Sequence, residues 1–402
     1  MPGLDNQAVK AGCAVLACGF VAAVAAGCGG SRVVRSPACS TAVAVARALG
    51  RTGGSTFSVQ APPFAAASVG GFSFVTIGGF TGLDELEVFR DEGLRLQPLR
   101  LIALPLSGAA GEALTPDGRR LLIAAGRGLI VVDVRGAETL SGRAVLGALE
   151  APAGSSPAEE LSRTSAIEVA VTRKADYAFV SLEYAGLVAV FNLRAAEASD
   201  WKRSGFVGFV PIGIVNVGLA LSPDDHTLYV TRSFPYLQGR RTPRPGTLVL
   251  VNVARAEHHP RTAVEARVAA GCGPLRVVAT PDGKTVWVTA GDSDELLAFS
   301  AAALARQPHQ ALIRDVPVGE HPVGLVLIDG GKRIIVMNSN RFNVSQATAT
   351  LSLVDGTNGK LLGTIQSGLF PREGTVEANG RILLVTDYAS QQLQTLQLEK
   401  LP

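Results

Sequence analysis

Short apolar runs rich in β-branched residues alternate with tight polar turns along most of this chain. The runs are about five residues long and apolar on both faces, which favours strands buried between two packed sheets. In the turns, Pro presets φ, Asp bonds the backbone two residues on, and Gly supplies a positive φ. The turns are Thr115–Gly118, Ser222–Asp225, Thr280–Gly283, Ile328–Gly331 and Ala378–Gly380. Each turn predicts a pair of antiparallel strands.

The turns recur about every 50 residues, with a degenerate copy at Thr172–Asp176. Each unit supplies four strand-like runs, and this period is typical of a β-propeller blade. Three more runs, Ser73–Ile77, Glu85–Arg90 and Leu99–Leu104, add a seventh unit at the front. The last unit ends after three strands, while Thr56–Gln60 has no partner. The sequence therefore predicts an all-β, seven-bladed β-propeller with four-stranded antiparallel blades, closed by this N-terminal strand.

Two units come close to a known repeat, in which Ser-Pro-Asp-Gly precedes Tyr-Val-Thr-Asn. The closest copies are Ala220–Asp224 with Leu228–Thr231, and Ala279–Gly283 with Val286–Thr289. These units resemble the repeats of the YVTN-type β-propeller family over about residues 109–398. Arg232 and Ala290 stand where that family has Asn, so a role tied to that Asn does not transfer. The resemblance implies a propeller that serves as a binding platform, a surface protein or, in a lactonase-like branch, a hydrolase.

Composition fits one large domain with a single continuous core. The chain has 402 residues, of which 47% are hydrophobic and 18% are charged, with a formal net charge of +3. A small net charge without a basic stripe argues against nucleic acid as a partner. We expect a monomer, since a closed ring leaves no open sheet edge.

The N-terminus looks like a bacterial lipoprotein signal. Residues 11–27 form an uncharged apolar run, and Cys28 follows Ala25, Ala26 and Gly27 as in a lipobox. A cleaved signal without lipid, an uncleaved anchor and a cytosolic chain are the alternatives. The predicted organisation is a signal segment over 1–28 with lipidation at Cys28, a flexible tether over 29–54, and the propeller over 55–402. The expected location is extracytoplasmic, in the periplasm or at the cell surface, with a lipid anchor in the membrane.

Two cysteines remain after the signal segment, Cys39 and Cys272. An oxidising compartment would permit a disulfide between them. Such a bond would tie the leader to a distant blade. We favour instead a leader that holds the propeller away from a membrane surface.

One column of the repeat, two residues after the lead-in position and at the start of the innermost strand, alternates glycine with charge. It contains Gly111, Glu168, Gly218, Arg276, Gly324 and Glu373. Inner strands surround the channel of a propeller, whose mouth is a common ligand site. With neighbouring polar residues, the candidate ligand-binding residues are Glu168, Asn216, Arg276, His321, Arg372 and Glu373. The alternative is a cluster of ion pairs without a ligand.

Two insertions interrupt the regular blades. The first carries aromatic and arginine side chains, which supply most interface hot spots: Phe234, Tyr236, Arg240, Arg241 and Arg244. It is either a partner-binding loop or a solvated loop. The second, residues 340–348, is polar and occupies the equivalent place two blades later. If both lie on one face, that face is the predicted binding surface.

We therefore favour a non-catalytic scaffold that binds a protein, peptide or glycan partner around the channel mouth. The alternative is a lactonase-like hydrolase, with Glu168 and Glu373 as acid and base or, with Asn216, as ligands of calcium. His226 follows a turn, and His258, His259 and His309 fall in predicted loops on the outer rim that do not converge, which argues against a zinc site. No nucleophile-elbow motif is present. No catalytic residue, metal ligand or resident cofactor is assigned on these grounds.

Overall fold

The computed structural model describes residues 39, 43–44, 46–50, 53–78, 84–152, 166–234, 243–341 and 349–402. Its strands form seven four-stranded antiparallel sheets, each a blade; in six of them the strands follow one another in sequential order from the inner strand outward. The inner strands contact one another in a ring. The seven-bladed propeller predicted from the repeat is therefore confirmed.

Six blades are continuous in sequence. The first contains β2 (Pro63–Val69), β3 (Phe72–Ile77), β4 (Glu85–Glu92) and β5 (Arg95–Ala103). The second contains β6 (Glu112–Leu114), β7 (Arg120–Ala125), β8 (Gly128–Asp133) and β9 (Val145–Glu150). The third contains β10 (Ala166–Val171), β11 (Tyr177–Leu182), β12 (Leu187–Asn192) and β13 (Phe206–Pro211). The fourth contains β14 (Asn216–Leu221), β15 (Thr227–Arg232), β16 (Pro245–Asn252) and β17 (Val264–Cys272). The fifth contains β18 (Pro274–Ala279), β19 (Thr285–Ala290), β20 (Glu295–Ser300) and β21 (Leu312–Pro317). The sixth contains β22 (Pro322–Ile328), β23 (Arg333–Asn338), β24 (Thr350–Asp355) and β25 (Leu361–Gln366).

The seventh blade combines both ends of the described chain. It contains β26 (Pro371–Val376), β27 (Ile382–Asp387), β28 (Gln392–Gln397) and, outermost, β1 (Ser55–Ser58). Phe57 lies opposite Leu393 in the antiparallel register. The predicted closure by an N-terminal strand is confirmed. The inner strand β2 was missing from the three strands predicted for the first unit.

Short helices connect the third and fourth strands in four blades. They are α1 (Val134–Ala137), α2 (Leu193–Ala198), α3 (Val253–His258) and α4 (Ala301–Arg306). Single 3-10 turns lie at Pro260–Thr262, Pro308–Gln310, Asp329–Gly331 and Leu398–Lys400. Each α-helix is capped by the last side chain of the preceding strand, as where Asn252 accepts from the Arg255 amide at 2.8 Å. No helix among these described residues is long and apolar enough to cross a membrane.

Strand direction gives the ring two different faces. The polar turns between first and second strands and the short helices lie on one side, here called the turn face. The loops between second and third strands and the connections between blades lie on the other side, here called the lead-in face. Both sequence insertions join second and third strands, β15 to β16 and β23 to β24, so their described ends lie on the lead-in face; residues 235–242 and 342–348 lie outside the described residues.

The polar turns close as their composition predicts. In the fifth blade, Thr280 Oγ1 donates to Asp282 Oδ1 at 2.6 Å, and the Lys284 amide donates to the same oxygen at 3.0 Å. The Gly283 amide donates to the Thr280 carbonyl at 2.8 Å, with a φ of +68°. The side-chain and backbone bonds together fix the reversal of the chain.

The hydrophobic core lies between neighbouring blades. Second and third strands are buried on both faces, and Leu122 and Val131 of the second blade cluster with Val180 and Ala189 of the third. Similar clusters join the next pairs of blades around the ring. This arrangement explains why these runs are continuously apolar instead of alternating.

The described leader residues contact the propeller. Cys39 forms a disulfide with Cys272, which ends the fourth blade, with their Cα atoms 5.5 Å apart. Ala48 pairs in parallel with Thr364 on the outer strand β25, and the Leu49 side chain packs against the core of the sixth and seventh blades. The preference for an unpaired Cys39 is therefore corrected. The described leader residues are therefore attached to the outer strands, by the disulfide to β17 and by the backbone bridge to β25.

A buried hydroxyl recurs at the same position of the second strand in five blades: Thr76, Ser181, Thr231, Thr289 and Thr386. Each hydroxyl accepts from an amide of its own inner strand and donates to a carbonyl of the next blade. Thr231 Oγ1 accepts from the Gly218 amide at 2.8 Å and donates to the Leu275 carbonyl at 2.7 Å. These hydroxyls therefore bridge adjacent inner strands.

Replacing Thr231 with valine is expected to lower the free energy of unfolding by about 1–3 kcal/mol. The substitution preserves shape but leaves the Gly218 amide and the Leu275 carbonyl without this partner. Urea denaturation of the full chain would measure the loss. Thr231→Ser is the matched control, because Ser181 makes the same two bonds in the third blade. Equal stability of the valine and serine variants would contradict the bridging role.

Candidate functional site

A cavity of about 340 Å³ occupies the central channel, and every inner strand contributes to its wall. Among the predicted site residues, Glu168, Arg276 and Glu373 line it. They come from the third, fifth and seventh blades. These residues are far apart in sequence, but they meet because all the inner strands surround one axis.

Arg276 joins the two carboxyl groups across the channel. Its Nε lies 3.1 Å from Glu168 Oε2, and its Nη2 donates to Glu373 Oε1. Only 6% of Arg276 is exposed. Charge-assisted bonds of this kind are strong when the partners are removed from water.

The glycines of the predicted column have a packing role. A Cβ on Gly218 would lie 2.5 Å from the Leu275 carbonyl oxygen and 2.9 Å from the Arg276 Cα. Gly111 and Gly324 approach the following blade in the same way. The alternation of glycine and charge thus lets three inner strands pack tightly, while the other three contribute long polar side chains.

Burial sets the protonation of the channel carboxyls. It raises the pKa of Glu168 to about 8 despite the opposing charge of Arg276. Burial also disfavours the charge on Arg276, but Glu373 and Glu168 more than offset it, so its pKa lies above the ordinary value. We assign the ion pair to Arg276 and Glu373, with Glu168 holding a proton near neutral pH.

Glu112 is a fourth ionisable residue in the cavity wall, one position beyond the predicted column. Its Oε1 accepts from the Thr76 amide at 2.7 Å. Burial raises the pKa of Glu112 well above its usual range, and the charge of Glu373 adds to the effect. Comparison of the repeat units with one another missed Glu112, because the second blade has glycine in the column itself, at Gly111.

An apolar layer lies at the lead-in end of the channel. It contains Phe64, Ile167, Val217, Leu275 and Val323, each from the start of a different inner strand. Arg372 lies against this layer, with its Cζ 3.6 Å from the centre of the Phe64 ring. Burial and the charge of Arg276 lower the pKa of Arg372 to about 9. Arg372 therefore stacks on aromatic rings and does not line the cavity that holds Arg276.

Asn216 and His321 do not join the cavity wall either. Asn216 Nδ2 donates to the Leu187 carbonyl at 2.8 Å, which ties the third blade to the fourth. The His321 amide donates to Asp294 Oδ1 at 2.8 Å, and its ring Nδ1 lies 3.0 Å from the Gly291 carbonyl. Both polar side chains contact backbone at blade junctions. Of the six predicted ligand-binding residues, three line the channel together.

The predicted partner-binding loop is described only at its two ends. Phe234 contacts two guanidinium groups, with the Cζ atoms of Arg232 and Arg244 at 4.5 and 5.9 Å from its ring centre. Tyr236, Arg240 and Arg241 lie outside the described residues. In the part that is described, the aromatic side chain packs on arginines of its own loop.

A second group of side chains on the lead-in face is outside the sequence prediction. Tyr184 is 52% exposed and Ile214 is 45% exposed. Their segments meet where the Val215 amide donates to the Glu183 carbonyl at 2.8 Å. The charge of Glu183 raises the pKa of Tyr184, and Arg341 opposes this rise.

Arg341 also lies over Phe370, with its Cζ 5.6 Å from the ring centre. We call Tyr184, Ile214, Arg341 and Phe370 the lead-in patch. Phe370 belongs to the apolar layer at the lead-in end as well, since it packs against that layer together with Tyr388. Among the described residues, no group of three or more His, Cys, Asp or Glu side chains is arranged to hold a metal ion.

The fold and the channel define a seven-bladed β-propeller with a charged interior. No family model and no curated protein matches the sequence. Solved structures do match, among them a chain of Kuenenia stuttgartiensis hydrazine synthase, with a TM-score of 0.61 and 12% sequence identity. That alignment covers 87% of this chain and 99% of the other. At this identity the likeness shows the fold alone.

Proposed function

We propose that this chain is a non-catalytic, extracytoplasmic scaffold that binds a protein, peptide or glycan partner on its lead-in face. The lead-in patch is the observation that carries this proposal. It combines an exposed tyrosine, an exposed isoleucine and an arginine stacked on an aromatic ring. Such side chains supply most of the binding energy in interfaces, and clustered exposed apolar groups are typical of interaction sites.

The pairing of the channel carboxyls supports a scaffold over the hydrolase alternative. A general base or a calcium ligand must present its carboxylate to substrate or ion. Here Arg276 hydrogen-bonds Glu373, and its Nε lies 3.1 Å from Glu168 Oε2; these are the two carboxyls that the hydrolase hypothesis requires. The lactonase-like activity and the calcium site implied by the YVTN resemblance are thus the less favoured proposal.

The proposed location rests on the disulfide of the leader and on the apolar run before Cys28, which resembles a lipoprotein signal. A disulfide between Cys39 and Cys272 is compatible with an oxidising compartment, where such bonds persist. The signal segment and Cys28 lie outside the described residues. Lipidation at Cys28, membrane attachment and membership of the YVTN-type family remain proposals from the sequence.

Site-specific photocrosslinking in the source cell tests the partner surface. A photoreactive phenylalanine at Tyr184 is expected to capture a discrete partner. The matched control is the same group at Leu140, which is 74% exposed and lies in the connection between β8 and β9 on the turn face. Equal capture at both positions, or none at Tyr184, would refute the proposal.

Once the partner is captured, Ile214→Ala measures the contribution of the patch. We expect its affinity to fall roughly tenfold or more, as for a hot-spot residue. Thermal unfolding of the variant should stay unchanged, because Ile214 is half exposed. An unchanged affinity would place the contact surface elsewhere.

A further inference from the structure

Three arginines meet at the junction of the third and fourth blades, where these blades reach the lead-in face. Arg232 ends β15, Arg244 directly precedes β16, and Arg267 lies on the outer strand β17. Arg244 and Arg267 are exposed, and Arg232 is half-buried. We call these three residues the arginine cluster.

Two members of the cluster contact the connection between the two blades. Arg267 Nη1 donates to the Ile212 carbonyl at 2.7 Å, and its Nη2 donates to the Pro211 carbonyl at 3.3 Å. Arg232 packs on the next residue, because a Cβ on Gly213 would lie 2.8 Å from its Nε. Both guanidinium groups therefore lie against one short segment of backbone.

The positive charge of the cluster has no counter-charge within the described part of the chain. Arg232 and Arg244 both contact the ring of Phe234, and Arg267 bonds backbone carbonyls. None of the three forms an ion pair with a described carboxylate. Burial lowers the pKa of Arg267, and the positive charge of Arg232 lowers it further. An anionic group is attracted to such a concentration of like charge.

The chemistry of the cluster suits carboxylates beside an apolar group. A guanidinium that stacks on a ring keeps its in-plane N–H groups for other partners, and two of these match the two oxygens of a carboxylate. Ile214 follows Gly213, the residue on which Arg232 packs, and is 45% exposed. The cluster is thus continuous with the lead-in patch, to which Ile214 belongs.

We propose that the partner on the lead-in face binds through an acidic peptide segment, whose carboxylates pair with the arginine cluster while a neighbouring apolar side chain contacts Ile214. Arginine clusters recognise acidic motifs in this way. An anionic glycan would supply carboxylates but no aliphatic side chain for the isoleucine. This inference rests on the proposed function, because it specifies the chemistry of the partner that the lead-in patch binds.

Fluorescence anisotropy with labelled probes tests this chemistry on the full chain. The probes are a peptide of about four Glu-Glu-Leu repeats, the same peptide with Gln in place of Glu, and an oligogalacturonate of similar charge. The acidic peptide is expected to bind roughly tenfold or more tightly than either of the others, and more weakly as added salt screens the charges. Absence of its binding, or equal binding of another probe, would overturn the proposal.

Variants then locate the contact. Arg244→Glu reverses an exposed charge of the cluster and is expected to weaken binding of the acidic peptide roughly tenfold or more. Arg306→Glu is the matched control, because Arg306 is an exposed arginine at the end of α4 on the turn face. Thermal unfolding verifies that both variants fold. An equal loss of binding in the two variants would mean that net charge and not the cluster attracts the peptide, and the assignment would be wrong.

Photocrosslinking at Tyr184 separates this inference from the proposed function. If a partner is captured there but the acidic peptide does not bind, the acidic segment is refuted and the partner surface stands. If nothing is captured there, the proposed function itself is refuted.

Discussion

Replacing Arg276 with methionine is expected to destabilise the full chain by about 3–5 kcal/mol, the usual cost of breaking a buried ion pair from one side. Methionine fills much of the volume but cannot neutralise Glu373. It also leaves Glu168 without its cross-channel partner. The charge of Glu373 would then be buried in the channel without a counter-charge. Guanidinium denaturation at neutral pH measures the loss.

A triple variant separates charge from packing. Arg276→Met combined with Glu168→Gln and Glu373→Gln removes both carboxyls with the guanidinium, so most of the lost stability should return. A triple variant no more stable than Arg276→Met would mean that packing and not charge determines the cost. A single variant with unchanged stability would rule out Arg276 as the counter-charge of the channel.

The pH dependence has a defined sign. Glu168 titrates at about 8 in the folded chain, against an ordinary value of 4.5. A group whose folded pKa is raised contributes stability that is present below the unfolded pKa and lost as the pH rises through the folded pKa. Glu87, Glu295 and Glu377, with pKa values raised to about 7 chiefly by burial, act in the same direction. The free energy of unfolding should fall between about pH 5 and 8, and fall less in Glu168→Gln.

Replacing Cys39 with alanine is expected to lower the free energy of unfolding by about 2–5 kcal/mol. The disulfide links residues 233 positions apart, so its loss releases a long loop in the unfolded chain. The pairing of Ala48 with Thr364 and the packing of Leu49 would then have to hold the leader alone. Denaturation of the full chain measures the effect.

A reductant provides the control for this prediction. Dithiothreitol should lower the stability of the original chain to that of Cys39→Ala and leave the variant unchanged. Cys272 is fully buried and acts as a small apolar side chain when unpaired, so its thiol adds little cost. If the free energy of unfolding of the original chain is unchanged after the disulfide has been reduced, the disulfide contributes nothing to stability.

The architecture could be predicted because its determinants are local. A turn such as Thr280–Gly283 specifies a strand pair through bonds within six residues, and the repeat multiplies that signal around the ring. Closure by β1 followed from counting strands. The column with Glu168, Arg276 and Glu373 was found in the same way, because equivalent positions of a propeller face one axis.

The features that could not be predicted depend on contacts between residues that are distant in sequence. Nothing local shows that Cys39 reaches Cys272, since the path of the leader is set by the outer strands it meets. Asn216 appears as functional as Arg276 in the sequence, yet its amide bonds the Leu187 carbonyl of another blade. Tyr184 and Ile214 become a surface only where two loops meet. Polarity identifies candidates, and three-dimensional neighbours decide which of them meet in a site.

The position of β1 has a consequence for synthesis of the chain. Of the described strands, Ser55–Ser58 is made first and its partner Gln392–Gln397 is made last. Until nearly the whole of this sequence has been synthesised, β1 has no partner strand and its edges stay exposed. Intermediates with such edges are prone to aggregate. A stop codon a dozen residues early would leave both β1 and β27 without β28, so truncation at the C-terminus should be far more damaging than its short length suggests.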